Sequence, residues 1–174
     1  MINGFALLPS LLEKARTSRF WLWLVNLLLG WLIPFNRPHG FRILTMEPDR
    51  VRTGGSYRRR NRNHIAGVHA CAIATVAEFS SGLMLLTKLD PARYRLIMAD
   101  LQVEYLYQAK SAICAETALD ATQLEQTILM PLQASEALRT KLVTRITDAD
   151  DRLVAVATII WQIKCWDKVR TRVS

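Results

Sequence analysis

The chain has 174 residues, 51% of them hydrophobic, which suits one domain with a real core, near the usual size of roughly 100–150 residues plus an extension. A formal charge of +8 and a pI of about 9.9 favour an anionic partner: nucleic acid, a membrane surface, or a phosphate-bearing or acidic-protein substrate. Cys71, Cys114 and Cys165 form no CxxC pair and leave an odd thiol, which argues against a secreted disulfide framework; His39, His64 and His69 fall in no metal-binding pattern, so no metal is expected.

Residues 20–33 (FWLWLVNLLLGWLI) hold three of the five tryptophans, follow Arg16 and Arg19, and stop at Pro34. This run is too short for a hydrocarbon core that needs about 20 residues. It also starts too late, with no A-x-A-like site after it, to read as a signal peptide. Two readings fit: a helix laid over the domain, or a Trp-rich interfacial helix lying on a membrane. The expected division is an N-terminal helical extension over residues 1–40 and a domain over residues 41–174.

Residues 41–45 and 50–57 have the mixed polarity of edge-prone strands, with Gly54-Gly55 as a bulge or bend. Residues 65–87 (IAGVHACAIATVAEFSSGLMLLT) then carry one formally charged side chain, Glu78, among apolar neighbours on all sides. An unpartnered carboxylate out of water costs several kcal/mol or neutralises by raising its pKa, so chemistry is the default suspicion. A helix apolar all round must be enclosed. The run length and the preceding RRRNRNH would satisfy a membrane span, but Glu78 would sit near the midplane and the following strands need a core to cover. A helix wrapped by a curved sheet is therefore expected.

In residues 95–108 the odd positions Ile97, Ala99, Leu101, Val103, Tyr105 and Tyr107 are apolar or aromatic, which predicts an antiparallel strand with one buried face. Residues 111–118 repeat the habit. Asp120-Ala-Thr-Gln123 predicts a capping box opening a short helix that ends before Pro131. Residues 141–147 and 152–166 flank Asp148-Ala-Asp-Asp151 as a hairpin, and the last strand is apolar on both faces near residues 154–160, as a central or interface strand would be.

The stretch Asn63-His-Ile-Ala-Gly-Val-His69-Ala-Cys-Ala-Ile-Ala-Thr-Val-Ala-Glu78 resembles the hotdog-fold thioesterases of the phenylacetate-degradation type. Their pattern is an Asn, a His six residues on followed by two small residues, and an Asp or Glu nine further on. This chain differs in having Ala70-Cys71 after the His, where Gly-Gly is usual, and Glu78 for the commoner Asp. The resemblance implies an α+β hotdog fold, a curved antiparallel sheet around one long central helix. It further implies a thioester hydrolase without a cofactor, acting on acyl-CoA or an acyl carrier protein in fatty acid metabolism, as a homodimer or dimer of dimers. Glu78 would be the general base or nucleophile, Asn63 would orient the water or carbonyl, the Ala70 amide would stabilise the oxyanion, and His69 would fix the turn or the carbonyl.

Helix geometry adds an independent constraint. Nine residues at about 100° each put Glu78 about 180° from His69 and about 13.5 Å along the axis, so one subunit cannot complete the site, whereas a two-fold dimer can do so twice. Arg50, Arg52, Arg58, Arg59, Arg60 and Arg62 are either a solvated strand end or, for Arg58, Arg59, Arg60 and Arg62 especially, a seat for coenzyme A phosphates or an acidic carrier protein. Other readings stay open: a Glu78 that only sets dimer register, a core role for His69, a Cys71 nucleophile, a non-catalytic acyl-binding or regulatory dimer, and a small membrane-associated protein. Nucleic acid is not an expected partner, because only Tyr57 interleaves with the arginines. The expected location is the cytoplasm, with peripheral membrane contact through residues 20–33 as an added option.

Overall fold

The computed structural model describes residues 8–135 and 137–169; residues 1–7, 136 and 170–174 of the two expected segments lie outside it. The chain opens with three helices, α1 (Leu8–Thr17), α2 (Arg19–Leu32) and the short α3 (Asn36–His39), which ends on Gly40 at φ +66°. Strands β1 (Arg42–Met46) and β2 (Arg50–Gly55) follow, then helix α4 (Ala70–Leu86) and strands β3 (Tyr94–Tyr105) and β4 (Ile113–Ala118). A helical run, α5 (Ala121–Leu124), a π-turn (Glu125–Leu129) and α6 (Met130–Ala134), precedes the hairpin of β5 (Ala137–Thr147) and β6 (Leu153–Cys165).

The strands form one antiparallel sheet in the order β1-β2-β4-β5-β6-β3. It curves around α4, which packs on β2, β3, β4, β5 and β6. This is the expected hotdog architecture, and it excludes the membrane-spanning alternative for residues 65–87: α4 has 17 residues, and ten of them are buried under the sheet. Among the described residues no helix is long and apolar enough to cross a membrane.

Helix and sheet are tied by polar as well as apolar contacts. Thr53 Oγ1 donates to the Val76 carbonyl at 2.9 Å, and Ser80 Oγ to the Val51 carbonyl at 3.0 Å. Thr117 then joins Ser80 at 3.0 Å to Thr144 at 2.7 Å, so the buried hydroxyls satisfy one another across α4, β4 and β5. On the far side, Trp161 Nε1 donates to Ser81 Oγ at 3.0 Å, and a Cβ at Gly82 would stand 3.1 Å from the Trp161 ring. The missing Cβ lets the indole reach the helix.

Three expectations need correction. Gly54 and Gly55 make neither bulge nor bend; they pair regularly with Cys114 and Ile113, and their side chains are absent because Leu44 presses on one and Phe41 and Val76 on the other. The bulge lies in β1, between Ile43 and Thr45. In β3 a second bulge between Met98 and Asp100 breaks the period of two, so Leu96, Leu101 and Val103 face the core while Ile97 and Met98 are exposed. The Asp120 side chain does cap its helix, accepting from the Gln123 N–H at 2.8 Å, but the helical run does not stop before Pro131. It continues to Ala134, with Pro131 in the segment that follows directly on the π-turn at Glu125–Leu129. The hairpin forms as expected: Asp148 Oδ1 accepts from the Asp150 and Arg152 N–H groups at 3.0 Å each, and Asp151 takes φ +57°.

The N-terminal helices are seated on the sheet edge. The Asn26 amide exchanges both hydrogen bonds with the Ile43 backbone, receiving from its N–H at 2.7 Å and donating to its carbonyl at 3.0 Å. One side chain thus does for β1 what a neighbouring strand would do. Val25 and Leu29 are buried beside it, each contributing on the order of 1.5–3 kcal/mol if fully removed from water.

Candidate active site

The sharp entry into α4 organises the site. His69 is the N-cap, with extended backbone (φ −65°, ψ 139°). Its Nδ1 accepts from the Cys71 N–H at 3.1 Å, which leaves the ring proton on Nε2 in the neutral tautomer. The His69 carbonyl takes the Ala72 and Ile73 N–H groups at 2.9 and 3.1 Å. The Ala70 N–H has no hydrogen-bond partner among the described residues, and Ala70 is exposed. A free donor therefore stands at the positive end of a 17-residue helix, where a developing negative charge is stabilised.

Along α4 the residues left partly open, Cys71, Ala74, Thr75, Glu78 and Gly82, recur at three- and four-residue spacing, so the helix shows one stripe to the outside. Glu78 is half-buried on that stripe, and its carboxylate makes no hydrogen bond or ion pair among the described residues. Burial raises its carboxyl above the ordinary value of 4.5, which suits a general base better than an exposed glutamate.

A cleft of about 250 Å³ opens beside the helix start. His69, Cys71, Ala72 and Thr75 form one wall; Phe35, His39, Phe41 and Arg60 form the other. His39 is stacked on Phe41 with ring centres 5.3 Å apart, and the Phe35 and His39 ring centres are also 5.3 Å apart. Asn61 fixes both histidines. Its Oδ1 lies 2.9 Å from His39 Nδ1, its Nδ2 donates to the His39 and Ser56 carbonyls at 2.8 and 2.9 Å, and its own carbonyl takes the His69 N–H at 2.8 Å.

His69 and Arg60 thus line one cleft, and Ala70 follows His69 in the chain without lining it. Asn63 stands in the preceding turn, where its Oδ1 accepts from the Ile65 and Gly67 N–H groups at 3.1 and 2.9 Å. That turn is further closed by Tyr57, whose hydroxyl donates to the carbonyl of Ala66, itself at φ +59°. Arg59 and Arg62 share a separate shallow depression with Asn63 and His64, Arg58 packs over Gly40, and Arg60 Nη1 donates to the Pro38 carbonyl at 2.8 Å. Arg50 and Arg52 leave the run altogether, both lying 3.5 Å from Glu116. Glu78 does not line the cleft of its own chain. Asn61 and His39 are functional residues that the sequence does not single out; the one available signal is the first asparagine in RRRNRNH, which no periodicity separates from Asn63.

The family model "Domain of unknown function (DUF4442)" matches residues 22–163. Among solved structures the chain is similar to PA5026 from Pseudomonas aeruginosa, a protein of unknown function described as a probable thioesterase: 28% identity and a TM-score of 0.74, over 82% of this chain and 94% of that one. OLEI01261 of unknown function from Chlorobaculum tepidum TLS has a TM-score of 0.73 at 12% identity, over 87% of this chain and 98% of that one. Thioesterase HI1161 from Haemophilus influenzae has a TM-score of 0.69 at 13% identity, over 90% and 99%. No curated protein matches. With a family match running from α2 into β6 and a sheet wrapped on one central helix, the chain belongs to the DUF4442 family and has the hotdog fold.

Proposed function

We propose that this protein is a thioesterase that hydrolyses acyl-CoA or acyl-carrier-protein thioesters in sites shared across a homodimer. One observation carries the reading: α4 is closed on every side but one, and that open stripe begins beside the unengaged Ala70 N–H and carries the uncompensated Glu78. Two copies packed antiparallel along this stripe would bring Glu78 of one chain to the Ala70 turn of the other. The exposed apolar residues Ile97 and Met98 on the edge strand β3 supply further surface for the same contact.

The chemistry follows from those groups. The thioester carbonyl oxygen accepts from the Ala70 N–H. Glu78 of the facing chain takes a proton from water as its oxygen attacks the carbonyl carbon, and the oxyanion of the tetrahedral intermediate is held at the helix start. Collapse breaks the carbon–sulfur bond; the thiolate leaves and receives the proton from Glu78, giving a carboxylic acid and a free thiol. His69 Nε2–H, oriented by the Nδ1 bond to Cys71, is a second donor for the carbonyl. Arg58, Arg59, Arg60 and Arg62 present a cationic rim for coenzyme A phosphates or an acidic carrier.

The test is hydrolysis of a panel of acyl-CoA and acyl-carrier thioesters with free-thiol detection, run beside Glu78→Gln. Turnover that disappears with Glu78→Gln supports the reading. Tight acyl binding without thiol release from any substrate would replace it with the acyl-binding dimer.

A further inference from the structure

We infer that the outer face of α2 docks on an anionic lipid bilayer. Phe20, Trp23, Leu27 and Trp31 are 63%, 59%, 48% and 65% exposed, although each is large and apolar. At about 100° per residue they fall in one arc, opposite the side on which Asn26, Val25 and Leu29 hold the helix to the sheet edge. Phe35, 62% exposed, continues this surface beyond the helix end. A contiguous apolar face of this kind marks an interaction site.

The charges around it select the partner. Residues 14–46 contain Lys14, Arg16, Arg19, Arg37 and Arg42 and no acidic residue. Glu13, the acid just before them, is bridged to Arg16 at 2.6 Å. Arg37 lies over the Trp31 ring at 4.3 Å and Lys14 over the Trp21 ring at 4.7 Å, so cations border the indoles. Tryptophans rimmed by cations suit the headgroup layer of an anionic membrane, where rings enter the acyl boundary and cations meet phosphates. A second copy fits this face less well, because a two-fold contact would set the same cations against each other.

The position of Phe35 gives the docking a consequence. It belongs to the exposed face and to the cleft wall at once, and its ring reaches His39 and then Phe41. An acyl group leaving the bilayer would meet continuous aromatic surface as far as the His69 turn; this consequence, unlike the docking, rests on the proposed thioesterase activity.

The experiment is co-sedimentation of the full chain with vesicles of phosphatidylcholine alone or with one-third phosphatidylglycerol, alongside tryptophan quenching by brominated lipid. Binding to the anionic vesicles with quenching is expected. Trp23→Ser/Trp31→Ser should lower partitioning at least about tenfold, and Leu27→Glu similarly, since all three side chains are exposed and their loss leaves the core intact. Raising salt from about 0.1 M to 1 M, which shortens the Debye length from about 10 Å to 3 Å, should weaken binding several-fold. Failure of the native chain to bind either vesicle would overturn the inference, as would face variants that bind unchanged. So would variants that leave partitioning alone but reduce the oligomer by light scattering, a result that would give the face to a second copy. None of these readouts depends on catalysis.

Discussion

Asn61 Oδ1 meets His39 Nδ1 at 2.9 Å, and the Asn61 side chain, 1% exposed, holds two backbone carbonyls as well. Truncation to Ala would strand a ring N–H and two part-buried carbonyls together. Asn61→Ala is therefore expected to lower unfolding free energy by about 2–4 kcal/mol and the melting temperature by about 5–12 °C. Asn63→Ala loses bonds only within a largely exposed turn and should cost about 1 kcal/mol. Urea unfolding of the two variants side by side measures the difference, and equal losses would show that Asn61 is not the hub.

On the proposed mechanism, Glu78→Gln should lower kcat at least about 10²-fold without changing the oligomeric state. Two pH effects accompany it. If Glu78 is the base it must be ionised, so kcat/KM should rise with pH through a value above 4.5. For stability the sign runs the other way. Burial lets the folded chain hold this proton to higher pH than the unfolded chain, so the group's contribution is present below 4.5 and is lost as pH climbs through the raised value. Glu78→Gln should therefore be more stable than the native protein at neutral pH, with the advantage shrinking toward 4.5. A variant that is inactive and also less stable at neutral pH would make Glu78 a packing residue.

The arginine run separates by substrate. Replacing Arg58, Arg59, Arg60 and Arg62 with Gln should raise KM for a carrier-linked thioester and flatten its salt dependence, while a short thioester without carrier is barely affected. Equal losses on both would point instead to a damaged fold near Pro38, whose carbonyl Arg60 holds.

The wrapped helix was legible because one carboxylate in an otherwise apolar run, followed by amphipathic strands, has few structural solutions. The Asp148 hairpin and the Asp120 cap were legible for a similar reason, since each is set by bonds within four residues. What escaped depends on contacts distant in sequence. The β3 bulge is a matter of register against β6, the small residues at 54 and 55 answer to Leu44, Phe41 and Val76, and Asn61 acquires its role from His39, twenty-two residues earlier. Asn63 and Glu78 entered the candidate site through the resemblance to the hotdog thioesterase pattern. The sequence had no means of showing that Asn63 Oδ1 would be occupied by its own turn, nor that the Ala70 N–H would be left over.

The Ala70 N–H can be removed almost alone. Ala70 is the first residue of α4, a position that tolerates proline, it is exposed, and His69 already has the extended backbone that a residue before proline requires. Ala70→Pro should thus fold with near-native stability and lose about 10²–10³ in kcat if this donor holds the oxyanion. Mixing Ala70→Pro chains with Glu78→Gln chains then tests the shared site. In a heterodimer one site combines the intact Ala70 of one chain with the intact Glu78 of the other, and the second site lacks both. Random exchange makes half the dimers mixed, so activity should return to about one-quarter of native. A site complete within one protomer would give no recovery, because every chain in the mixture carries a defect; subunit exchange confirmed by mass-tagged chains with activity still absent would therefore reject the dimer-spanning site while leaving the fold untouched.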